Sequence, residues 1–238
     1  MSVLPAVIPP DASAPDARAA LEAAQWRQVG AGDWAWVMAD PGDTWAARVT
    51  PFDPGYLAFA RDCLTGEANR WLPRVAEIVP LRRDGYIVVM ERLWPAPEPA
   101  ASAFCAALGI TNTSGYAPPT PGPFEGQDHP DLDTLRGRMQ ALIDEGSAQH
   151  RFWACDIRPG NVMADAAGAL KLVDPMGIAG WKIVAAVREG RADLLADLSR
   201  VQIEDFLTIP YFGPRREGHG ERDELLGLVE RLEGLSPG

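Results

Sequence analysis

Apolar residues recur along this chain in two rhythms, and the rhythm changes with position. Short apolar runs at Trp26 to Val29, Trp34 to Ala39, Thr44 to Val49 and Tyr86 to Leu93 are bounded by Gly, Pro or charged residues, which predicts strands. Between them, Asp53 to Leu64 carries Tyr56, Phe59, Ala60 and Cys63 at helical spacing. The helical rhythm returns over Leu132 to Glu145, with Leu132, Leu135, Met139 and Leu142 on one face, and over Arg222 to Leu235. Asp16 to Gln25 is Ala-rich behind Pro15 and predicts a helix, and Ala100 to Leu108 predicts a short one. Phe152-Trp153, Val162-Met163 and the run Leu170 to Val173, broken only by Lys171, read as short strands flanking loops.

Proline punctuates this pattern. Residues 1 to about 14 are rich in Pro, Ala and Ser and predict a loose arm. A second soft stretch runs from Pro95 to Pro130 and includes Pro118-Pro119-Thr120-Pro121-Gly122-Pro123, a spacing that forbids long helices and strands. The natural division is an arm with its helix over 1–23, a strand-rich lobe over 24–93 and a mainly helical lobe over 94–238.

Composition narrows the function classes. A chain of 238 residues with 47% hydrophobic residues can bury a sizeable core. No run approaches the ~20 apolar residues of a membrane span, and the first ten residues lack the basic start of a signal peptide. Cys63, Cys105 and Cys155 are odd in number and scattered, which argues against a disulfide framework or zinc site; a reducing, cytoplasmic setting is expected. The formal charge of −11, with no basic stripe, disfavours nucleic acid and anionic membranes as partners.

The densest chemistry lies at Cys155-Asp156-Ile157-Arg158-Pro159-Gly160-Asn161-Val162-Met163, followed by Leu172-Val173-Asp174-Pro175. Phosphoryl transfer needs a carboxylate for the attacking hydroxyl's proton and a cation for the moving phosphoryl group. It also needs an amide oxygen and a second carboxylate for the metal that bridges the phosphates. Asp and Asn around Pro-Gly also suit an ordinary turn. The spacing from Asp156 to Asn161 and on to Asp174 resembles the catalytic and metal loops of the protein-kinase-like superfamily, H-R-D-L-x-x-x-N and D-F-G.

That resemblance implies an α+β, two-lobed fold, with a small antiparallel sheet in the N-lobe and a mainly helical C-lobe. It implies ATP and Mg2+ as cofactors, Asp156 as catalytic base, Arg158 as phosphate clamp, and Asn161 and Asp174 as metal ligands. Gly30 and Gly32 stand where the family has its glycine loop, with Ala35 in place of the third glycine; a hairpin turn is the plainer alternative. Arg48 stands for the third-strand Lys, a swap that is not conservative at a phosphate. Asp62 is the best stand-in for the helix Glu that pairs with it. Trp71 to Val75 matches the loop before the fourth strand, and Glu91, Arg92 and Leu93 mark the adenine edge at the end of the fifth.

Departures are as plain. Ala154 replaces the loop's His, with His150 four residues too early, and Pro175-Met176-Gly177 replaces F-G. No A-P-E segment follows, so the pattern is nearer to aminoglycoside and choline phosphotransferases and to compact bacterial and phage kinase-like proteins. Ala196 to Arg200 resembles the acid-bearing helix of those families. Two functions follow from the resemblance. One is an ATP- and magnesium-dependent phosphotransferase acting on a small molecule or one specific protein, with AMP transfer as a variant. The other is a pseudokinase that binds nucleotide as a regulatory or scaffold module.

Overall fold

The computed structural model describes every residue except Met1, Ala6, Val7, Pro10, 114–122, Gln127, His150, 215–217, Glu233, Pro237 and Gly238. The prolines and glycine from 118 to 122 and His150 therefore lie outside the described residues. The chain falls into two compact units. One gathers Met1–Asp53, Ala76–Met90 and Gly180–Gly238, and the other Pro54–Val75 and Glu91–Ala179.

The first unit is built on a sheet. Helix α1 (Ala14–Ala23) opens with a capping box in which Ser13 and Asp16 satisfy each other's backbone ends, with Pro15 in the first turn. It ends where Gln25 takes a left-handed φ of 66°. Strands β1 (Arg27–Ala31), β2 (Trp36–Ala39) and β3 (Trp45–Thr50) form an antiparallel meander. Helix α2 (Pro54–Thr65) follows, then β4 (Val75–Pro80) and β5 (Tyr86–Glu91), and the sheet order is β1-β2-β3-β5-β4. Ala17, Leu21 and Trp26 pack on Met38, Val49, Ile87 and Val89.

The N-terminal arm departs from expectation. Val3, Leu4 and Ile8 pack against that core, and the Glu77 carboxylate on β4 accepts the N–H groups of Val3 at 2.7 Å and Leu4 at 3.1 Å. Three apolar residues with a covered face to bury outweigh the proline-rich composition on which a loose arm was expected.

The second unit holds α2 and continues with β6 (Trp94–Pro95), α3 (Glu98–Leu108), α4 (Pro130–Gln149) and β7 (Trp153–Cys155). After β7 come β8 (Val162–Ala164), β9 (Leu170–Leu172) and β10 (Met176–Ile178). β6, β8 and β9 form one small antiparallel sheet, and β10 pairs with β7 in another. Trp71, Phe104 and Phe124 meet with ring centroids 5.5–5.6 Å apart, and Leu108 of α3 and Leu132, Leu135 and Met139 of α4 are buried in the same unit.

From Gly180 the chain belongs to the first unit, as α5 (Gly180–Arg188), α6 (Arg200–Phe206) and α7 (Arg222–Arg231). The helix expected over Ala196 to Arg200 begins later, because Ser199 and Gln202 form a capping box that sets its start. Asp197 consequently lies before the helix. The last helix stops at Arg231, short of Leu235, where Leu232 turns extended.

Candidate active site

Asp156, Arg158, Asn161 and Asp174 come together in the second unit, on two loops stitched to each other. The first loop leaves β7 and crosses a single 3₁₀ turn, Pro159–Asn161, into β8; the second leaves β9. Asp156 donates its N–H to the Pro175 carbonyl at 2.8 Å, and Val173 donates its N–H to the Asn161 carbonyl at 3.0 Å. Pairing of β8 with β9, Val162 opposite Leu172, holds the loops in register from one side. Pairing of β7 with β10, Cys155 opposite Met176, holds them from the other. At the position of the family's loop His, Ala154 faces Gly177 in that second ladder.

The centre of the arrangement is the side chain of Asn161, itself 7% exposed. Its amide nitrogen lies 2.7 Å from the Asp156 carbonyl, 2.9 Å from Asp156 Oδ2 and 2.7 Å from the Asp174 carbonyl. An amide has only two N–H bonds to give, so these three acceptors use its donor capacity within the chain. Its Oδ1 is thereby turned away from them. Arg158 donates Nε to the same Asp156 Oδ2 at 3.0 Å, so the expected clamp and the expected base form an ion pair.

Glu91 ends β5, and Arg92 and Leu93 lead from it directly into β6, which pairs with β8 through Trp94 opposite Ala164. The expected adenine edge is thus tied by backbone to the strand that follows Asn161. Glu91 is fixed at both ends: its N–H donates to the Arg74 carbonyl at 3.0 Å, and its carboxylate accepts the Arg74 N–H at 2.8 Å. Lys171 Nζ lies 3.9 Å from the same carboxylate. The Arg92 guanidinium donates to the Leu93 carbonyl and lies over the Trp94 ring, 5.0 Å from its centroid.

Gly30, Gly32 and Arg48 belong to the first unit. Gly30 lies inside β1 at an irregularity of register, and Gly32 in the turn after it, where its N–H donates to the Ala35 carbonyl at 3.1 Å. Neither has a positive φ. A Cβ added at Gly32 meets nothing within 4 Å, and one at Gly30 meets only Val37 at an ordinary 3.7 Å. Among the described residues, no packing contact calls for a glycine at these two positions.

Arg48 and Asp62 have different partners. Arg48 is 6% exposed and pairs at 3.5 Å with Asp53, which is 1% exposed and five residues along the chain. Asp62 accepts the Arg138 guanidinium from α4, with Nη2 2.6 Å and Nε 3.1 Å from its Oδ2. Arg138 also donates to the Asp62 and Glu67 carbonyls, so it closes the C-terminal end of α2.

Sequence reasoning missed Asp53, although its place just before Pro54 at a helix start was a visible signal. It also missed Asn112 and Thr113. Thr113 exchanges hydrogen bonds with Cys155, accepting its N–H at Oγ1 (2.8 Å) and donating its own N–H to its carbonyl (3.0 Å). Asn112 donates to the Ile157 carbonyl at 3.3 Å. These two residues buttress the Asp156 loop from a proline-rich stretch with no readable period.

No family model matches the chain, and no curated protein matches it. It is similar to a chain in the solved structure of the CAK complex of Chaetomium thermophilum bound to ATP-γ-S, at 17% identity over 70% of this chain and a TM-score of 0.36. The chain spans half the length of that one. It is similar also to the aminoglycoside phosphotransferase APH(4)-Ia, at 12% identity over 90% of this chain and 96% of the other, with a TM-score of 0.32. A third similar structure is the aminoglycoside phosphotransferase APH(3'')-Id of Streptomyces rimosus, at 16% identity over 90% and 95% and a TM-score of 0.32. The helix between the third and fourth strands of a five-stranded sheet, and the small sheets that hold the stitched loops of Asp156, Asn161 and Asp174, make the fold of the described residues α+β.

Proposed function

We propose that this protein is a phosphotransferase that moves the terminal phosphoryl group of ATP to a hydroxyl on a small molecule or on one specific protein. The observation that carries the reading is the Asn161 amide, which binds Asp156 and the Asp174 carbonyl with its nitrogen and so presents its oxygen elsewhere. An amide oxygen and the Asp174 carboxylate are hard donors, the kind magnesium takes alongside phosphate oxygens. No group of three or more His, Cys, Asp or Glu suited to a metal occurs among the described residues, and phosphate oxygens and water would complete a shell begun by Asn161 and Asp174. Asn161 and Asp174 would hold that magnesium, which would supply charge neutralisation to the phosphates.

In this reading Asp156 receives the proton of the acceptor hydroxyl. That oxygen bonds to the terminal phosphorus, and the bond from phosphorus to the ADP oxygen breaks. Arg158 exchanges its contact with Asp156 for the charge gathering on the transferred oxygens. Gly30 and Gly32 support a phosphate-binding role, since close approach of a ligand to the backbone accounts for glycines that no contact among the described residues requires. Glu91 to Leu93 offer the adenine edge.

The Arg158–Asp156 ion pair favours a second reading. It engages the base and the clamp with each other, as suits a module that binds nucleotide as a switch without transferring it. Incubation with γ-labelled and α-labelled ATP, magnesium and a panel of metabolites and proteins separates the two. Transfer of γ-label supports the phosphotransferase and transfer of α-label an AMP transferase. Tight ATP binding with no transfer of either label supports the switch.

A further inference from the structure

The turn that carries Gly32 is held from outside the sheet by the C-terminal segment of the same unit. Asp33 offers its carbonyl to the N–H of Tyr211, 2.9 Å away, in the 3₁₀ turn Pro210–Phe212. One residue on, the Trp34 indole rests on Phe206 of α6, with ring centroids 5.4 Å apart. Its far edge lies over the backbone at the start of α5, where Gly180 has no side chain. A Cβ there would stand 2.7 Å from Trp34 Cη2 and 2.9 Å from Cζ2, a separation real carbons do not show.

The platform is itself fixed. Phe206 packs edge-on against Phe212, with centroids 5.5 Å apart, and both are buried. The Ser199 capping box starts α6, and Arg83 in the β4–β5 turn donates to the Asp205 carboxylate at 2.7 Å. Helix α6 is therefore tied to the sheet at a point remote from the turn. An exposed turn with glycines in it is otherwise mobile and must be ordered when a ligand binds. Two independent contacts, one from backbone and one from an indole, order it beforehand.

We infer that Trp34, seated on Gly180 and Phe206, is a positioning residue that presets the Gly30–Ala35 turn, and that ATP affinity depends on the C-terminal segment for this reason. The inference rests on the phosphate-binding role given to Gly30 and Gly32 above. Preorganising a turn for phosphates should matter to the triphosphate and not to the nucleoside.

The test joins two readouts in the full chain: amide hydrogen exchange at Tyr211 and Gly32, and affinity for ATP against adenosine. Trp34→Ala should speed exchange at both amides and weaken ATP by about tenfold, with adenosine affinity within about twofold of wild type. Gly180→Ala should do the same with the indole still present, since alanine is the better helix former at the start of α5. Trp34→Phe should restore most of the ATP affinity, because a ring on Phe206 remains. Undiminished protection of Tyr211 in Trp34→Ala overturns the inference. So does an equal loss of ATP and adenosine binding, or no loss of either. If wild type binds no ATP, the phosphotransferase reading falls, and exchange at Tyr211 alone decides whether the C-terminal segment holds the turn.

Discussion

Arg48 and Asp53 form an ion pair shut away from solvent on both sides, 3.5 Å from guanidinium to carboxylate, and only five residues of chain separate them. The pair spans the end of β3 and the residue before α2. The Asp53 carbonyl accepts the hydroxyl of buried Tyr86 at 2.6 Å, which fixes the acid's backbone to β5. A local pair of this kind is set by the β3–α2 turn and does not await the orientation of a helix.

Removing one member of a buried pair strands the other charge, at a cost of about 3–5 kcal/mol. Asp53→Ala should therefore lower unfolding stability by about that amount, measured by urea denaturation. The double replacement Arg48→Met with Asp53→Ala should recover a good part of the loss, because no charge is then left buried. A loss under about 1 kcal/mol in the single variant would show that solvent reaches the site and compensates.

Asp62 has a different assignment to check. Through Arg138 it joins α2 to α4, with two contacts to its carboxylate and two to nearby carbonyls. Hydrogen bonds to charged groups contribute about 1.5–3 kcal/mol each when partly buried, and this pair keeps some exposure. Asp62→Ala should lower the melting temperature measurably and leave ATP affinity within about twofold. A large loss of ATP affinity with an unchanged melting temperature would return Asp62 to the nucleotide site.

What could be read in advance divides along the range of the contacts. That Asp156, Asn161 and Asp174 come together was legible because two loops carry them at fixed intervals, and the short apolar runs around them announce the strands that hold those loops. The choice between Asp53 and Asp62 was not legible, since both acids suit a helix beside Arg48 and only packing selects between them. Thr113 against Cys155 and Trp34 against Gly180 join residues 42 and 146 apart by numbering, a range over which local periodicity does not say which partners meet. Helix α5 did carry a signal, with Ile183, Ala186 and Val187 at helical spacing and all buried, but it lies beyond the motif that drew attention to Asp174. Strand β1 runs through Gly30, where propensity alone argues for a turn, because an irregular register accommodates the extra residue.

The cysteines yield a prediction about reactivity. Burial pushes the Cys105 thiol up to about 12 and raises those of Cys63 and Cys155 as well, the neighbouring Asp62 charge adding to the effect at Cys63. A raised thiol stays protonated at neutral pH, and the thiolate is the reactive form. All three should react with a thiol reagent at pH 7.5 more than about a hundredfold more slowly than an open thiol, and fully after denaturation. Rapid titration of one equivalent in the native protein would mark a thiol whose surroundings open in solution.

Asp174 is tested through the metal. If its carboxylate and the Asn161 oxygen hold magnesium with the phosphates, ATP should raise the melting temperature more with magnesium than without. Asp174→Ala should remove the magnesium-dependent part and leave the remainder. Its carbonyl, which accepts from Asn161, survives the substitution, so the loop should keep its stitching. Equal thermal shifts in wild type and variant would refute the ligand assignment.

The decisive substitution is Asp156→Asn. It keeps the side chain's shape and a carbonyl oxygen that can still accept from the Asn161 amide, and it removes the charge that pairs with Arg158. A positioned base contributes about 10²–10⁴-fold to rate, and in the proposed mechanism Asp156 faces the acceptor hydroxyl and not the nucleotide. ATP affinity should therefore stay within about threefold of wild type, while phosphoryl transfer falls by at least about a hundredfold. Release of Arg158 from its ion pair works against any loss of affinity, since the cation becomes available to the phosphates. A protein that binds nucleotide only as a switch predicts a different result: the same near-zero turnover in both forms, and tighter ATP binding in the variant for the same electrostatic reason. Arg48→Lys completes the comparison. It shortens a guanidinium held by Asp53 to a compact ammonium, and a gain in turnover would show that the arginine had been limiting transfer. Full transfer activity in Asp156→Asn would rule Asp156 out as the base, whatever the fold around it.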